Sequence, residues 1–434
     1  MAAVAQCCPV LRSSRLAGPL SVFCDVPEAS VSVSERLLKL KRGAPCPRRI
    51  FLMARDCQAN DGQPWVPSVV RKIWQQILND PTLNHECLPP LGSSEFTRAA
   101  MELAIGKENT AILENRAAGI QTLGGSGALW LGAQFLHRWY CGSTLNERAV
   151  YISQPTWESH CAIFQDAGFT DIRPYRYWDN EKLTLDVKGL IDDLESAPDF
   201  TIVVLDSSSY NAIGMGLESR EWEWIADMAV RKKMFPFFYL PSQGLTSGDL
   251  ETDSAPVCFF AEKGLELLCA QSFSRNCGLY AQRVGNLIII TKENEALLSS
   301  RSQLEKLVIA AWGSPPALGA RIATTILNNP TLYAEWKENL KVKVEQTLLI
   351  REKIKEKLRI LGVQGCWDHI TQQAGLYSFF GLTPLQVEFL SQQKHIYLNL
   401  DGQFNISCLN NSNLEYVMQS ISEAVTATGL ETSQ

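Results

Sequence analysis

Six short apolar runs alternate with helical patterns between residues 119 and 291 of this 434-residue chain. The runs are continuously apolar and rich in β-branched and aromatic residues, which is typical of strands that a sheet buries on both faces. Helical patterns such as SGALWLGAQFLHRWY and SREWEWIADMAVRKKM separate them. This alternation predicts an α/β domain with a mostly parallel central sheet. The predicted strands are GIQTL, AVYIS, TIVVLD, FPFFYL, LELLCAQS and VGNLIIIT.

C-terminal to these runs the pattern becomes mainly helical. A long helix is predicted between Pro330 and Gly362, because proline favours the first turn of a helix and glycine its end. We expect its buried face to carry the apolar residues Leu340, Val344, Leu348, Ile354, Leu358 and Leu361. The last part of the chain predicts strands in GLYSFFGL, KHIYLNL and FNISCLN, and a final helix in SNLEYVMQSISEAVTA.

The composition of the chain excludes several kinds of partner. The 40 basic and 46 acidic residues give a net charge of −6, which argues against a nucleic-acid surface. No apolar run approaches the roughly eighteen residues that a membrane helix needs. The 13 cysteines form no CxxC motif and the five histidines are scattered. We therefore expect no metal site, and reduced thiols in a cytoplasmic protein.

The first 24 residues contain two arginines and no acidic residue. This composition is weakly similar to a mitochondrial targeting peptide, and it equally fits an unstructured tail. We favour a tail over residues 1–20 and a cytoplasmic location, with a mitochondrial location as the alternative.

A glycine-rich turn, Gly124 to Gly127, lies between a predicted strand and a predicted helix. Glycines let a ligand approach the backbone, and a helix start offers free N–H groups and positive dipole to a phosphate. The same residues also serve as an ordinary turn and helix cap. The turn alone therefore leaves both interpretations open.

Two further strand ends carry polar side chains that suit the same ligand. FPFFYLPSQG ends with Tyr239 and Ser242, and LLCAQSFSRN ends with Ser272 and Arg275. Arg283 follows eight residues later. The carboxyl ends of parallel strands meet at one edge of a sheet, so serines, an arginine and a helix start would together hold one phosphate.

Ten segments between Ser21 and Ala427 resemble one known family: SVFCDVP, GQPWV, LNHECLP, GGSGAL, QPTWESH, GFTDIRPYRYWD, CAQSFSRNCGLYAQRVGN, SPPALGAR, WDHIT and QKHIY. In them the chain resembles the cytosolic aspartate aminotransferases of the pyridoxal-phosphate fold-type I superfamily. The resemblance implies a homodimer with active sites at the subunit interface. It also implies an N-terminal arm with part of a small domain over residues 21–64, a large cofactor domain over 65–342 with helices on both sides of its sheet, and a C-terminal small α/β domain over 343–434.

The resemblance further implies roles for single positions, and most of the reacting groups are replaced. Arg275 replaces the lysine that forms the Schiff base, and Tyr239 replaces the aspartate that pairs with the pyridine nitrogen. Ser242 replaces the tyrosine that contacts the cofactor's phenolic oxygen. The arginines that clamp the two substrate carboxylates are replaced by Gln403 and, at the position that the partner subunit supplies, by Ile309.

Two more replacements concern the surroundings of the cofactor. Cys87 replaces a tyrosine that reaches the phosphate from the partner subunit, and Arg55 replaces a glycine that leaves room for the substrate. The positions that match the family's cofactor contacts are Gly125, Ser126, Trp157, Asn211, Ser272 and Arg283, and His160 is also kept.

Arginine at the Schiff-base position decides the functional expectation. Its guanidinium keeps its proton in proteins, so Arg275 supplies no neutral amine for attack on an aldehyde. Pyridoxal phosphate is the cofactor by resemblance, but covalent binding is not expected. We therefore expect a family member that does not transaminate and acts as a dimeric binding or regulatory protein.

Three alternatives remain open from the sequence. The first is a low level of pyridoxal-phosphate-dependent aminotransferase or other amino-acid activity. The second is binding of a small anion or metabolite in an arginine-rich pocket formed by Arg55, Arg275 and Arg283. The third concerns assembly, namely a heterodimer with an active aminotransferase in place of the homodimer.

Overall fold

One seven-stranded sheet and three two-stranded sheets form in a computed structural model, which describes residues 26–27, 49–140, 148–156, 158–207, 213–399 and 401–429. The strands are β1 (Ile50–Phe51), β2 (Ala117–Leu123), β3 (Val150–Gln154), β4 (Ile172–Arg176), β5 (Trp178–Asp179), β6 (Thr184–Leu185), β7 (Ile202–Asp206), β8 (Phe235–Leu240), β9 (Leu267–Ser272), β10 (Val284–Ile290), β11 (Tyr377–Phe379), β12 (Ile396–Tyr397) and β13 (Gln403–Asn405). The described fold belongs to the unit Arg48–Gln434; of the other unit, Met1–Pro47, only residues 26–27 are described.

The large sheet has the strand order β2-β10-β9-β8-β7-β3-β4. Strand β10 runs antiparallel to both of its neighbours, and the other four pairings are parallel. The predicted α/β fold with a mostly parallel sheet is confirmed. All six strands predicted from the apolar runs are present, because each run is long enough and apolar enough to be buried on both faces.

Helices pack on both faces of the large sheet. In β8, Phe237 and Tyr239 point into one core cluster, and Phe238 and Leu240 point into the other. The helices are α1 (Ser68–Leu78), α2 (Ser94–Ile105), α3 (Thr110–Leu113), α4 (Gly124–Trp139), α5 (Glu158–Asp166), α6 (Val187–Ser196), α7 (Ser219–Arg231), α8 (Leu250–Glu262), α9 (Asn294–Ala311), α10 (Ala317–Asn328), α11 (Pro330–Ile360), α12 (Asp368–Gln372), α13 (Pro384–Gln393) and α14 (Leu414–Gly429).

The edge strand β4 was not predicted from the sequence. Its residues IRPYR are mostly polar, and only Tyr175 among them is buried. An edge strand has a partner on one side only, so it needs no continuous apolar run. The apolar signal that identified the central strands is therefore missing here.

The long helix α11 begins and ends where the sequence predicts, but its buried face differs. Leu340, Val344 and Leu358 are buried, whereas Leu348 is 43% exposed. A step of four residues turns the helix by about 400°, so such positions drift about 40° around the axis at each step. The polar side chain of Arg351 is buried instead. No helix in the described ranges is long and apolar enough to cross a membrane.

A separate core cluster joins the chain before the large sheet to the chain after it. Leu52 packs there with residues of α11 and of the last part of the chain, including Phe404 and Met418. The predicted strands in this part are present but short: β1 pairs with β12 and β11 pairs with β13. FNISCLN leaves its strand early and continues as a short 3₁₀ turn, Ile406–Cys408. The predicted final helix is confirmed as α14.

Gly285 allows β10 to approach the start of α4. A methyl group on Gly285 would lie 2.4 Å from the main-chain carbonyl carbon of Gly124, which cannot move away without shifting the helix. We expect Gly285→Ala to destabilise the fold at the upper end of the roughly 1–3 kcal/mol that overpacking costs. The control variant is Gly127→Ala, whose position lies within α4. Its new methyl would lie 3.1 Å from Leu123 Cβ.

Helix propensity offsets that second contact, so Gly127→Ala should stay within about 1 kcal/mol of the wild type. Urea unfolding of both variants measures the difference. Equal stability of the two variants would show that the contact between Gly285 and the Gly124 backbone is not tight.

Candidate functional site

The predicted phosphate residues converge at the carboxyl edge of the large sheet. Gly125 opens α4, Tyr239 lies near the end of β8 and Ser272 ends β9. A methyl group on Gly125 would lie 3.0 Å from Ser272 Cβ, 3.2 Å from Tyr239 Cε2 and 3.4 Å from Tyr239 Oη. Three elements therefore meet around the first turn of one helix.

Arg283 completes this cluster from the start of β10. Its Nη2 donates to Ser126 Oγ at 3.1 Å and to the Leu123 carbonyl at 3.3 Å. Its backbone φ is +51°, a left-handed conformation that costs energy in a residue with a side chain. The guanidinium thereby lies at the positive end of α4, where helix N–H groups and an arginine together favour an anion.

Arg275 lies nearby but is held by neutral oxygens. Its Nε donates to the main-chain carbonyl of Arg55 at 3.2 Å, and its Nη2 donates to Tyr377 Oη at 3.2 Å. Tyr377 Oη donates in turn to the same Arg55 carbonyl at 3.3 Å. Arg55 thus contributes its backbone oxygen to Arg275, and its own side chain is exposed.

Tyr239 is buried beside a histidine that stays neutral. The rings of Tyr239 and His160 meet edge to face with centroids 4.9 Å apart. Burial lowers the pKa of His160 to about 4, so its imidazole carries no charge at neutral pH. Burial raises the pKa of Tyr239 to about 12, against the opposing effect of Arg275 and Arg283. The Tyr239 phenol therefore keeps its proton.

Asp206 is a residue of this site that the sequence analysis missed. It ends β7 and is the register partner of Tyr239 in the neighbouring strand. Its Oδ1 is buried and has no hydrogen-bond partner among the residues that the structure describes. Burial raises the pKa of this carboxyl to about 7. The aspartate that ends the run TIVVLD, at the same sheet edge as Tyr239, is the sequence signal that identifies it.

The two serines of the predicted site differ in their contacts. Ser272 Oγ accepts a hydrogen bond from the backbone N–H of Ser274 at 3.2 Å. The hydroxyl of Ser242 is buried and has no hydrogen-bond partner within the described ranges. Ser272 also lies beside Gly125.

Gln403 lines a different cleft. It is buried, and its Oε1 accepts a hydrogen bond from Asn399 Nδ2 at 2.7 Å. It lines a cleft of about 560 Å³ together with Trp178 and Asp401. Ile309 and Cys87 lie at the surface. Trp157 and Asn211 lie outside the described residues.

The described ranges contain no group of three or more His, Cys, Asp or Glu side chains that could hold a metal ion. The chemistry of the cluster is therefore set by arginine, hydroxyl groups, one phenol and one buried carboxyl.

The buried carboxyl of Asp206 predicts a pH effect on stability. Its folded pKa of about 7 lies above the usual value near 4, so the folded state loses stability as pH rises from about 4 to about 7. Asp206→Asn removes this charge. The unfolding free energy of the variant minus that of wild type should rise by roughly 2–4 kcal/mol from pH 5 to pH 8, since one pKa unit is worth about 1.4 kcal/mol.

Urea unfolding at the two pH values measures this gain, with the exposed Asp192→Asn on α6 as the matched control. The assignment would be contradicted if Asp206→Asn differed from wild type by the same unfolding free energy at both pH values. It would also be contradicted if Asp192→Asn showed the same change with pH.

Comparisons with known proteins agree with this architecture. Residues 52–421 match the family model described as aminotransferase class I and II. The cytoplasmic aspartate aminotransferase of Gallus gallus is 46% identical over 406 residues, covering 94% of this chain and 98% of the relative. A protein of Homo sapiens named putative aspartate aminotransferase, cytoplasmic 2, is 43% identical over 409 residues, covering 94% and 95%.

Solved structures share the fold. An aromatic-amino-acid aminotransferase from Burkholderia pseudomallei, covalently bound to pyridoxal phosphate, superimposes with a TM-score of 0.88 at 29% identity, covering 94% of this chain and 100% of that one. The aspartate aminotransferase from Saccharomyces cerevisiae cytoplasm gives a TM-score of 0.88 at 30% identity, covering 94% and 99%. The chain belongs to the class I and II aminotransferase family.

Proposed function

We propose that this chain is an aspartate-aminotransferase-type protein that does not transaminate and acts as a dimeric binding or regulatory protein. One observation carries the proposal: the position that resembles the Schiff-base lysine is Arg275, and its guanidinium is bound to the Arg55 carbonyl and to Tyr377. Arginine remains protonated, so it neither attacks an aldehyde nor moves a proton near neutral pH.

The groups around Arg275 reinforce this interpretation. Tyr239 stands where a carboxylate would hold a protonated ring nitrogen, and its raised pKa keeps it a neutral phenol. Gln403 offers a neutral amide, already bonded to Asn399, where an arginine would bind a carboxylate. A hydrogen bond to a charged group is worth roughly 1.5–3 kcal/mol, so a dicarboxylic substrate would lose affinity.

The residues present fit one end of the family's cofactor and not the other. Arg283, Ser126 and Ser272 at the start of α4 suit a phosphate. At the ring end, the Tyr239 ring lies 3.2 Å from where a methyl group on Gly125 would be, and no lysine stands at the attachment position. Pyridoxal phosphate bound as a covalent, ring-buried group therefore does not fit this site.

A dimer is proposed from the segments that resemble interface segments of the family. LNHECLP and SPPALGAR contact each other within the chain, where Arg321 Nη2 donates to Asn84 Oδ1 at 3.2 Å. Ile309 is 55% exposed on α9, so it is free to meet a second subunit. We propose a homodimer, or a heterodimer with an active relative. We also propose a cytoplasmic location, which the names of the relatives support.

Transamination assays of aspartate with 2-oxoglutarate test the proposal. The wild type should have a kcat/KM at least about 10²-fold below that of the Gallus gallus relative measured in parallel, since acid–base catalysis alone contributes about 10²–10⁴-fold. The variant Arg275→Lys should remain inactive, because Tyr239 and Gln403 are unchanged. Wild-type activity within tenfold of the relative would contradict the proposal.

A heterodimer predicts a measurable loss in the active partner. This chain would present Ile309 to the active subunit's site, where the partner position resembles a substrate-binding arginine. The kcat/KM per active subunit should fall by about 10–100-fold, the value of one charged hydrogen bond. Ile309→Arg should recover part of it, whereas Leu298→Arg, at another exposed apolar position of α9, should not. Unchanged activity in the purified heterodimer would exclude this effect.

A further inference from the structure

The side chain of Tyr239 reaches from β8 toward the start of α4. By resemblance, the residue at position 239 contacts the nitrogen end of the cofactor ring, and Gly125 with Ser126 holds the phosphate at the other end. The ring must then span the space between β8 and α4. Here Tyr239 Cε2 and Oη lie only 3.2 and 3.4 Å from where a methyl group on Gly125 would be.

Tyr239 is held in this position by its surroundings. Its side chain is buried, its ring packs against the edge of His160, and it belongs to the core cluster on the α4 face of the sheet. The register neighbours of Tyr239 are Asp206 on one side and Ala270 on the other. Because closely packed interiors leave few voids, the phenol cannot share its space with a second six-membered ring.

The phosphate end of the site is not blocked in the same way. Arg283 and Ser126 lie at the first turn of α4, and Arg283 is exposed. A compact anion can reach the guanidinium and the helix N–H groups without displacing Tyr239. The phosphate end therefore admits a compact anion, whereas the ring end has no space for a second ring.

We infer that Tyr239 is the specificity-determining residue of this site: its own ring fills the space of a ligand ring, so that phosphate is admitted and a phosphorylated aromatic ring is excluded. This inference rests on the proposed function, because it takes the site to bind without a Schiff base. It goes further in naming the residue that makes non-covalent binding of the pyridine ring unfavourable as well.

Calorimetric titration with inorganic phosphate and with pyridoxine 5′-phosphate tests the inference. Pyridoxine 5′-phosphate carries the ring and the phosphate but no aldehyde, so its binding is independent of Schiff-base chemistry. Wild type should bind it no more than about tenfold more tightly than inorganic phosphate, because the ring gains no burial. Tyr239→Ala should bind it at least about tenfold more tightly than wild type does, with inorganic phosphate affected less.

Two variants control the result. Tyr239→Phe keeps the ring and should show no gain, and Arg283→Gln should weaken the binding of inorganic phosphate, which locates it at this site. A wild type that binds pyridoxine 5′-phosphate more than about tenfold more tightly than phosphate would overturn the inference, and this comparison needs no variant. A folded Tyr239→Ala protein that binds pyridoxine 5′-phosphate no more tightly than wild type would overturn it as well.

The titrations test this inference independently of the proposed function. Transamination by the wild type would disprove the proposed function through turnover, whereas the titrations measure only whether a ring is admitted. If the protein neither transaminates nor excludes the ring, the proposed function stands and this inference is wrong.

Discussion

The hydrogen bonds of Arg275 to the Arg55 carbonyl and to Tyr377 determine what this site can do. They join three parts of the chain: the segment after β1, the turn after β9 and strand β11. Each of these acceptors is a neutral oxygen, to which the guanidinium donates. The residue that we propose ends Schiff-base chemistry thus also connects the edge of the large sheet to the small β11–β13 sheet.

Around this arginine the fold is that of the family, but the side chains at the positions linked to catalysis are different residues. The elements that bring α4, β8, β9 and β10 to one sheet edge are those of the aminotransferase family, and Gly285 still allows the close approach of β10 to Gly124. Under the proposed function, the side chains at that edge form neither an electron sink nor a carboxylate clamp. A fold carries function only through the groups placed on it, and the proposed function assigns these groups to binding and not to catalysis.

Much of this could be predicted from the sequence, for identifiable physical reasons. The central strands are apolar throughout, so their burial was evident, whereas β4 lies at an edge and carries charges. The replacements that we infer at Arg275, Tyr239 and Gln403 come from segments that resemble the family closely. The approach of Tyr239 to the start of α4 and the burial of Asp206 depend on distances across neighbouring elements, which no local pattern encodes.

The central claim is that no lysine of this chain forms a Schiff base at this site. The direct measurement is the absorption spectrum of the purified protein with pyridoxal phosphate, followed by borohydride reduction and mass-spectrometric mapping of any adduct. We predict no aldimine band and no single modified lysine. A band that reduction fixes onto one specific lysine would contradict the account and would identify the residue to which the chemistry has moved.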